Sequence, residues 1–357
     1  MDIREIINSI KPLDQEAQNL ARRRQRELTK PLGSLGKLED VSIQLAGIYR
    51  TSSPEIGKKA IFTMAADHGI TEEGISAYPS EVTTQMVLNF ASGGAAINVL
   101  GRHVGADIIT VDMGVASDIQ LPEPIIANKI RKGTRNMAKE PALTTEEADL
   151  AVCKGIALAQ DAIDRGINLI GIGDMGIGNT TVASAITAAI TREPVAEVTG
   201  RGTGLDDDGL QHKIDVIEKI LKFHNPDLER PTEVLSKIGG LEIAGMTGVI
   251  IGCASRGVPV VLDGFISGAS ALIASEMAPL SRSYMIASHL SVERGHAAIL
   301  RYLDLEPLLD LRMRLGEGTG ASLAMFVMEA SCKILNEMAT FDKAGVSRKK
   351  GGEKNAG

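Results

Sequence analysis

Ile167-Asn-Leu-Ile-Gly-Ile-Gly-Asp-Met-Gly-Ile-Gly-Asn-Thr-Thr181 is the stretch on which the reading of this chain turns. Its apolar start reads as a strand, and Thr180 to Ile190 reads as a helix. A strand that ends in glycines and opens a helix suits a phosphate. Glycine lets backbone N–H groups approach an anion, and the helix N-terminus adds partial positive charge. Gly171, Gly173 and Gly176 match G-x-G-x-x-G, so a dinucleotide site is one reading. No Gly-Lys-Ser/Thr follows, so the run is not a P-loop.

Outward from this run, short apolar segments alternate with helical periods. Strands are expected at Ala60–Ala66, Asp107–Val111, Ile125–Ile130, Val258–Leu262 and Tyr284–Ala287. Asp14 caps a helical run through Leu28, and Lys37–Tyr49 and Val82–Leu100 follow. Thr144-Thr-Glu-Glu147 reads as a capping box opening a helix to about Arg165. Leu210–His224, Glu242–Arg256, Ser267–Glu276 and Ala321–Ala339 complete the helices, with a polar, disordered tail from Val346. The alternation predicts an α/β fold, a Rossmann-like parallel sheet covered by helices. In such sheets the ligand lies beyond the carboxyl ends of the strands. Asp67-His68-Gly69, Asp112-Met-Gly114, Gly173-Asp174 and Asp263-Gly264 all fall there, and are expected to converge on one crevice.

Composition narrows the classes. A chain of 357 residues, 44% hydrophobic and 23% charged, has the balance of a soluble globular protein. The net charge of −7, the absence of Trp and the 3% aromatic content argue against a nucleic-acid or anionic-membrane partner. Cys153, Cys253 and Cys332 are widely spaced and show no zinc spacing, so reduced thiols of a cytoplasmic protein are the simpler reading. No signal-peptide apolar region opens the chain, and the longest apolar segment, Gly245–Leu262, is interrupted by Arg256 and Pro259.

Several further groups carry chemistry. Gly200-Arg-Gly-Thr-Gly204 is a second flexible loop, with Lys213 one turn into the next helix as a phosphate cation or a solvated side chain. Asp206–Asp208 read as acids at a helix N-terminus. His289, Glu293 and His296 have the spacing of one helix face, but not that of a zinc motif, and Ser291 suits a phosphate contact. Asp67 and His68 are adjacent on a strand and face opposite ways, so a turn-closing Asp competes with an acid–base pair. Ser76-Ala-Tyr-Pro-Ser80 precedes a helix carrying Gln85 and could wall a flat aromatic substrate. In Leu315-Gly-Glu-Gly-Thr-Gly-Ala-Ser322, glycines on both sides of Glu317 permit an exposed carboxylate with close substrate approach, as a general base requires.

Taken with Thr29-Lys-Pro-Leu-Gly-Ser-Leu-Gly36, Val82-Thr-Thr-Gln-Met86 and Leu262-Asp-Gly-Phe265, these segments span most of the chain. In order and spacing the chain resembles the nicotinate-nucleotide:dimethylbenzimidazole phosphoribosyltransferases of cobalamin lower-ligand synthesis. The resemblance implies a homodimer. It implies a large α/β domain at 51–304, and a small helical domain built from 1–50 and 305–345. The implied reaction converts nicotinate mononucleotide and 5,6-dimethylbenzimidazole into α-ribazole 5′-phosphate and nicotinate. The family's catalytic glutamate falls on Glu317. Its phosphate and ribose contacts fall on Gly173, Asp174, Met175, Gly176, Gly178, Asn179, Thr180, Gly202, Thr203, Lys213, Asp263, Gly264, Phe265 and Ser291. Its base pocket falls on Ser76, Tyr78, Gln85, Met86 and Leu315. Relatives often carry Glu where this chain has Asp174. No metal or other cofactor is required by this chemistry. The competing readings are an NAD-dependent oxidoreductase, with Glu193 or Glu197 holding the ribose, and a non-catalytic nucleotide-binding module.

Overall fold

The computed structural model describes residues 2–118 and 121–348. Each apolar run forms a strand, and the central strands are covered on both faces. The strands are β1 (Lys58–Ala66), β2 (Ala106–Gly114), β3 (Ile126–Ala127), β4 (Ile167–Met175), β5 (Val260–Leu262) and β6 (Met285–Ala287). In β1 every residue after Lys58 is buried, and β5 and β6 are buried throughout. All pairs are parallel, in the order β3-β2-β1-β4-β5-β6. The chain thus builds outward from β1, returns to β4 at its other side, and builds outward again. At such a reversal the flanking connections leave on opposite faces and open a crevice at the carboxyl ends.

The capping chemistry follows the sequence. Asp14 accepts from the Ala17 N–H, and Thr144 and Glu147 form a reciprocal box. Three expectations change. Val82–Leu100 is two helices, Glu81–Ala91 and Ala96–Val104, because Gly93 turns the chain at φ +74°. The strand expected at Ile125–Ile130 shrinks to two residues. The strand expected to stop at the first glycine runs on through Gly171 and Gly173 to Met175. A Cβ at Gly171 would press on Met325 and Ala321, and one at Gly173 would overlap the backbone of Glu317 and Gly318. The first two glycines of the fingerprint therefore admit another segment against the sheet; they do not form a phosphate turn, which weakens the dinucleotide reading.

Two compact units are present. One comprises the described residues up to Pro12 with Gly57–Met325, and the other comprises Leu13–Ile56 with the described residues from Phe326. In the second, Ala21, Ala46 and Leu335 form an apolar contact, and Ser331 Oγ donates to the Leu38 carbonyl at 2.6 Å. Residues up to Pro12 fall with the sheet unit; there Tyr284 Oη donates to the Lys11 carbonyl at 2.7 Å. Residues 305–325 also fall with it, since Leu309 bonds back to Ser288 and the Glu317 loop bonds to β4. Most of the tail expected from Val346 lies outside the described residues.

Candidate active site

A cleft of about 500 Å³ opens at the carboxyl ends of β4, β5 and β6. Four helices begin at its rim: Asn179–Thr191, Phe265–Met277, Arg294–Leu303 and Thr319–Glu337. Each contributes lining from its first turn or from the residues just before it. A helix N-terminus carries unpaired N–H groups and about half a positive charge, so their convergence suits an anionic ligand.

Glu317 stands at this rim. Its φ is +65°, between Gly316 at +85° and Gly318 at +96°. Left-handed backbone costs a non-glycine residue about 1–2 kcal/mol. Three residues in a row keep it because the surroundings hold them. The Glu317 N–H donates to the Asp174 carbonyl at 3.1 Å, and Thr63 Oγ1 donates to the Glu317 carbonyl at 2.9 Å. Behind the loop, the Asp263 carboxylate accepts from the N–H groups of Gly318 at 3.1 Å, Gly320 at 2.6 Å and Ala321 at 3.3 Å. Glu317 is 4% exposed, so its carboxylate is not the exposed one expected from the flanking glycines, and its Oε2 accepts from the Ile97 N–H at 3.2 Å. Burial raises its pKa above the ordinary glutamate value, and the Ile97 bond pulls the other way.

Two more carboxyls lie close by. Asp174 lines the cleft, accepts from Asn179 Nδ2 at 2.8 Å, and is pushed far toward the neutral acid by burial and by the charges of Asp263 and Glu242. Burial pushes Asp263 up to about 7, opposed by its three backbone donors. Asp174 is thus held toward its neutral form, and Glu317 and Glu293 are the other carboxylates that line the cleft.

The remaining walls are mixed. Met175, Gly176, Asn179 and Thr180 form one side, with Gly202 and Thr203 beside them. Gly264, Phe265 and Ser291 form the next. Tyr78, Met86 and Leu315 supply an apolar rim, where Tyr78 is 55% and Leu315 58% exposed. Gly173, Gly178, Lys213, Asp263, Ser76 and Gln85 are absent from the lining. Gly173 and Asp263 position the Glu317 loop, and Gly178, at φ +95°, precedes the helix. Ser76 Oγ lies 3.2 Å from Thr203 Oγ1. Gln85 is exposed because the helical period puts Val82 and Met86 on the cleft face instead.

Lys213 is neither solvated nor in the cleft: it is fully buried, with Nζ donating to Thr180 Oγ1 at 2.8 Å and to the Gly200 carbonyl at 3.3 Å. A Cβ at Gly202 would sit 3.3 Å from Nζ, so the ammonium acts from directly behind two lining residues. Burial pushes its pKa down to about 8, with Glu293 opposing. Asp206 caps its helix through the Gly209 N–H.

The four-strand convergence is only half present. Asp67 Oδ2 accepts from the Ala116 N–H, and Asp112 accepts from the Val115 N–H and pairs with Lys129 at 3.3 Å. Both close turns away from the cleft. His289 precedes the helix Arg294–Leu303, so it shares no helix face with His296. Among the described residues, no group of three or more His, Cys, Asp or Glu could hold a metal ion. Also among them, no helix is long and apolar enough to cross a membrane.

A family model described as Phosphoribosyltransferase (DBI_PRT) matches residues 10–346. The chain belongs to this phosphoribosyltransferase family. It is 58% identical, over 97% of its length and 99% of the relative's, to a Chloroflexus aurantiacus protein named nicotinate-nucleotide--dimethylbenzimidazole phosphoribosyltransferase. A protein of the same name from a Geobacter species is 54% identical over 95% of this chain and 97% of that one. The fold is similar to the crystal structure of CobT from Thermus thermophilus, with a TM-score of 0.90 and 45% identity, covering 94% of this chain and all of that one.

Sequence reasoning missed several residues of this cleft. Val82, Ile177, Ile266, Arg314 and Gly316 also line the cleft, as do His289 and Glu293, which the sequence offered only as members of one helix face. Arg314 donates to the Gly202 carbonyl at 3.0 Å, tying two loops more than a hundred residues apart in the chain. His68 Nε2 lies 2.9 Å from Glu242 Oε1 in a fully buried pair, directly under Gly176. No local pattern marks such pairs, because the partners come from different elements.

Proposed function

We propose that this enzyme transfers the phosphoribosyl group of nicotinate mononucleotide to 5,6-dimethylbenzimidazole, with Glu317 as general base. The product is α-ribazole 5′-phosphate, the nucleotide of the cobalamin lower ligand. One observation carries the reading: a buried glutamate, held on left-handed backbone, lines the single cleft on which four helix N-termini converge.

The phosphate is assigned to the wall of Gly176, Asn179, Thr180, Gly202 and Ser291, with Lys213 behind it. The acceptor base lies against Tyr78, Met86 and Leu315. Glu317 takes the benzimidazole N–H proton, and the second ring nitrogen gains electron density. That nitrogen bonds to the anomeric carbon as the carbon–nicotinate bond breaks. The bonding pair returns to the pyridine nitrogen, which leaves uncharged, so no acid is needed for departure. Attack from the face opposite the leaving group inverts the β-nucleotide to the α-product. The resemblance extends the reading to a cytoplasmic homodimer, checked by light scattering.

Incubation with nicotinate mononucleotide and a panel of benzimidazoles, purines and phenols, followed by mass analysis, tests the assignment. A ribazole phosphate with stoichiometric nicotinate is the expected product; binding with no nicotinate release overturns it. Lys213→Ala is expected to weaken nicotinate mononucleotide far more than benzimidazole in calorimetric titration. Because the buried ammonium loses its proton near pH 8, nucleotide affinity in the unaltered enzyme falls as pH rises through that value. The Lys213→Ala variant lacks that limb. Equal weakening of both ligands removes Lys213 from the phosphate site.

A further inference from the structure

Glu293 Oε2 is an acceptor with no donor among the described residues. It occupies the N-cap position of the helix Arg294–Leu303, yet its side chain makes no capping bond. Its backbone is pinned: the Glu293 N–H donates to Ser291 Oγ at 3.3 Å, and the Ser291 N–H donates to His296 Nδ1 at 2.9 Å. Burial pushes His296 down to about 3, so its ring stays a neutral acceptor and the turn holds across the working pH range. Glu293 lines the cleft; its Oε2 is buried, and no donor among the described residues reaches that oxygen. Gly200 packs directly on it, and a Cβ there would overlap Oε2. The neighbouring cations bond elsewhere: Lys213 to Thr180 and Gly200, and Arg314 to Gly202.

Oε2 is closed off against Gly200, so the acceptor that the carboxylate leaves to a ligand donor is its other oxygen, Oε1. The ligand's chemistry narrows the donor. A phosphate dianion and a nicotinate carboxylate are acceptors, and a carboxylate beside either one repels it. The pyridinium ring has no N–H. Of the nucleotide's groups only the ribose hydroxyls can donate, and the benzimidazole N–H is the proton assigned to Glu317. Granting the phosphoribosyl-transfer reading, on which this rests, we infer that Glu293 accepts the hydrogen bond of a ribose hydroxyl and makes the cleft selective for ribonucleotides over 2′-deoxyribonucleotides. The glycine at position 200 is then part of the sugar subsite, since any larger residue would displace the acceptor.

Affinity is the proper readout, because removing the 2′ hydroxyl also changes the intrinsic lability of the glycosidic bond. Calorimetric Kd values for nicotinate mononucleotide and its 2′-deoxy analogue are compared in the unaltered enzyme, Glu293→Gln and Glu293→Asp. A hydrogen bond to a charged group predicts an unaltered preference for the ribonucleotide of about ten- to a hundredfold. In Glu293→Gln the ribonucleotide weakens, the deoxy analogue holds its affinity, and the preference shrinks to about threefold or less. Glu293→Asp, whose shorter side chain withdraws the oxygen, reads the same loss of preference if the Gln variant does not fold. Unchanged preference in the folded variants overturns the inference. So does equal weakening of both nucleotides, the signature of a mere counter-ion to Lys213. Nicotinate release by the unaltered enzyme is measured in parallel. Its absence overturns the transfer reading, and this inference with it, whereas transfer with unchanged preference overturns only the role of Glu293.

Discussion

Glu317→Gln is expected to lose about 10²–10⁴-fold in turnover while folding and binding nucleotide normally. The substitution keeps the side-chain length and leaves an amide oxygen for the Ile97 N–H, so the loop need not move. What it removes is the only group on the cleft read as a working base. Asp174 does not substitute, since burial and two neighbouring carboxyls hold it toward its neutral form. The pH profile gives a second readout. The raised pKa of Glu317 means that the ionised, active form is lost as pH falls through a value above the ordinary glutamate range. The acid limb of kcat/KM therefore lies above that range, and it disappears in the Gln variant. Nicotinate release measured against pH, with thermal melting to confirm folding, checks both. Turnover near that of the unaltered enzyme removes Glu317 from the base role.

Asp263→Ala is expected to cost both stability and activity. The change orphans the N–H groups of Gly318, Gly320 and Ala321 together. A buried donor left without an acceptor costs about 1–3 kcal/mol. Three of them, partly satisfied by entering water, place the loss at about 3 kcal/mol or more. Activity falls further than stability, because the freed loop gives up the strained backbone of Glu317 and the base leaves its position. Asp263→Asn retains one acceptor oxygen but turns an amide N–H₂ toward the same donors, so it recovers only part of the loss. Denaturant melts and nicotinate release separate the effects. An Asp263→Ala enzyme with full turnover shows that the loop holds itself.

The architecture was legible where the chain speaks locally. The apolar runs at Ala60, Asp107 and Val258, the caps at Asp14 and Thr144, and the acids at Asp206 all depend on near neighbours. Glu317 was legible because its flanking glycines mark an unusual backbone. Other features hinge on partners far along the chain. Gly171 and Gly173 looked like a phosphate turn, yet their missing side chains make room for Met325, Ala321 and the Glu317 loop. Asp263 looked like a sugar contact, yet its oxygens face backbone amides. Lys213 looked half solvated, since a helical period does not tell which face is covered by a loop. His68 stood out beside Asp67, but its actual partner, Glu242, gave no signal, because burial of a charge shows only when its opposite is found.

The loop that carries Glu317 has its anchors in remote parts of the chain. Its bonds to Asp263 span 55, 57 and 58 residues, that to Ile97 spans 220, and that to Thr63 spans 254. Contacts of such separation close late in folding, after the chain entropy of the intervening segments has been overcome. The segment is a loop by its dihedral angles but belongs to the cooperative core by its anchorage. Competence therefore arrives late and lasts as long as the sheet does: no partly folded form lacking β1 or β5 can hold the base. Thermal inactivation of this enzyme should follow the opening of its sheet, not local fraying.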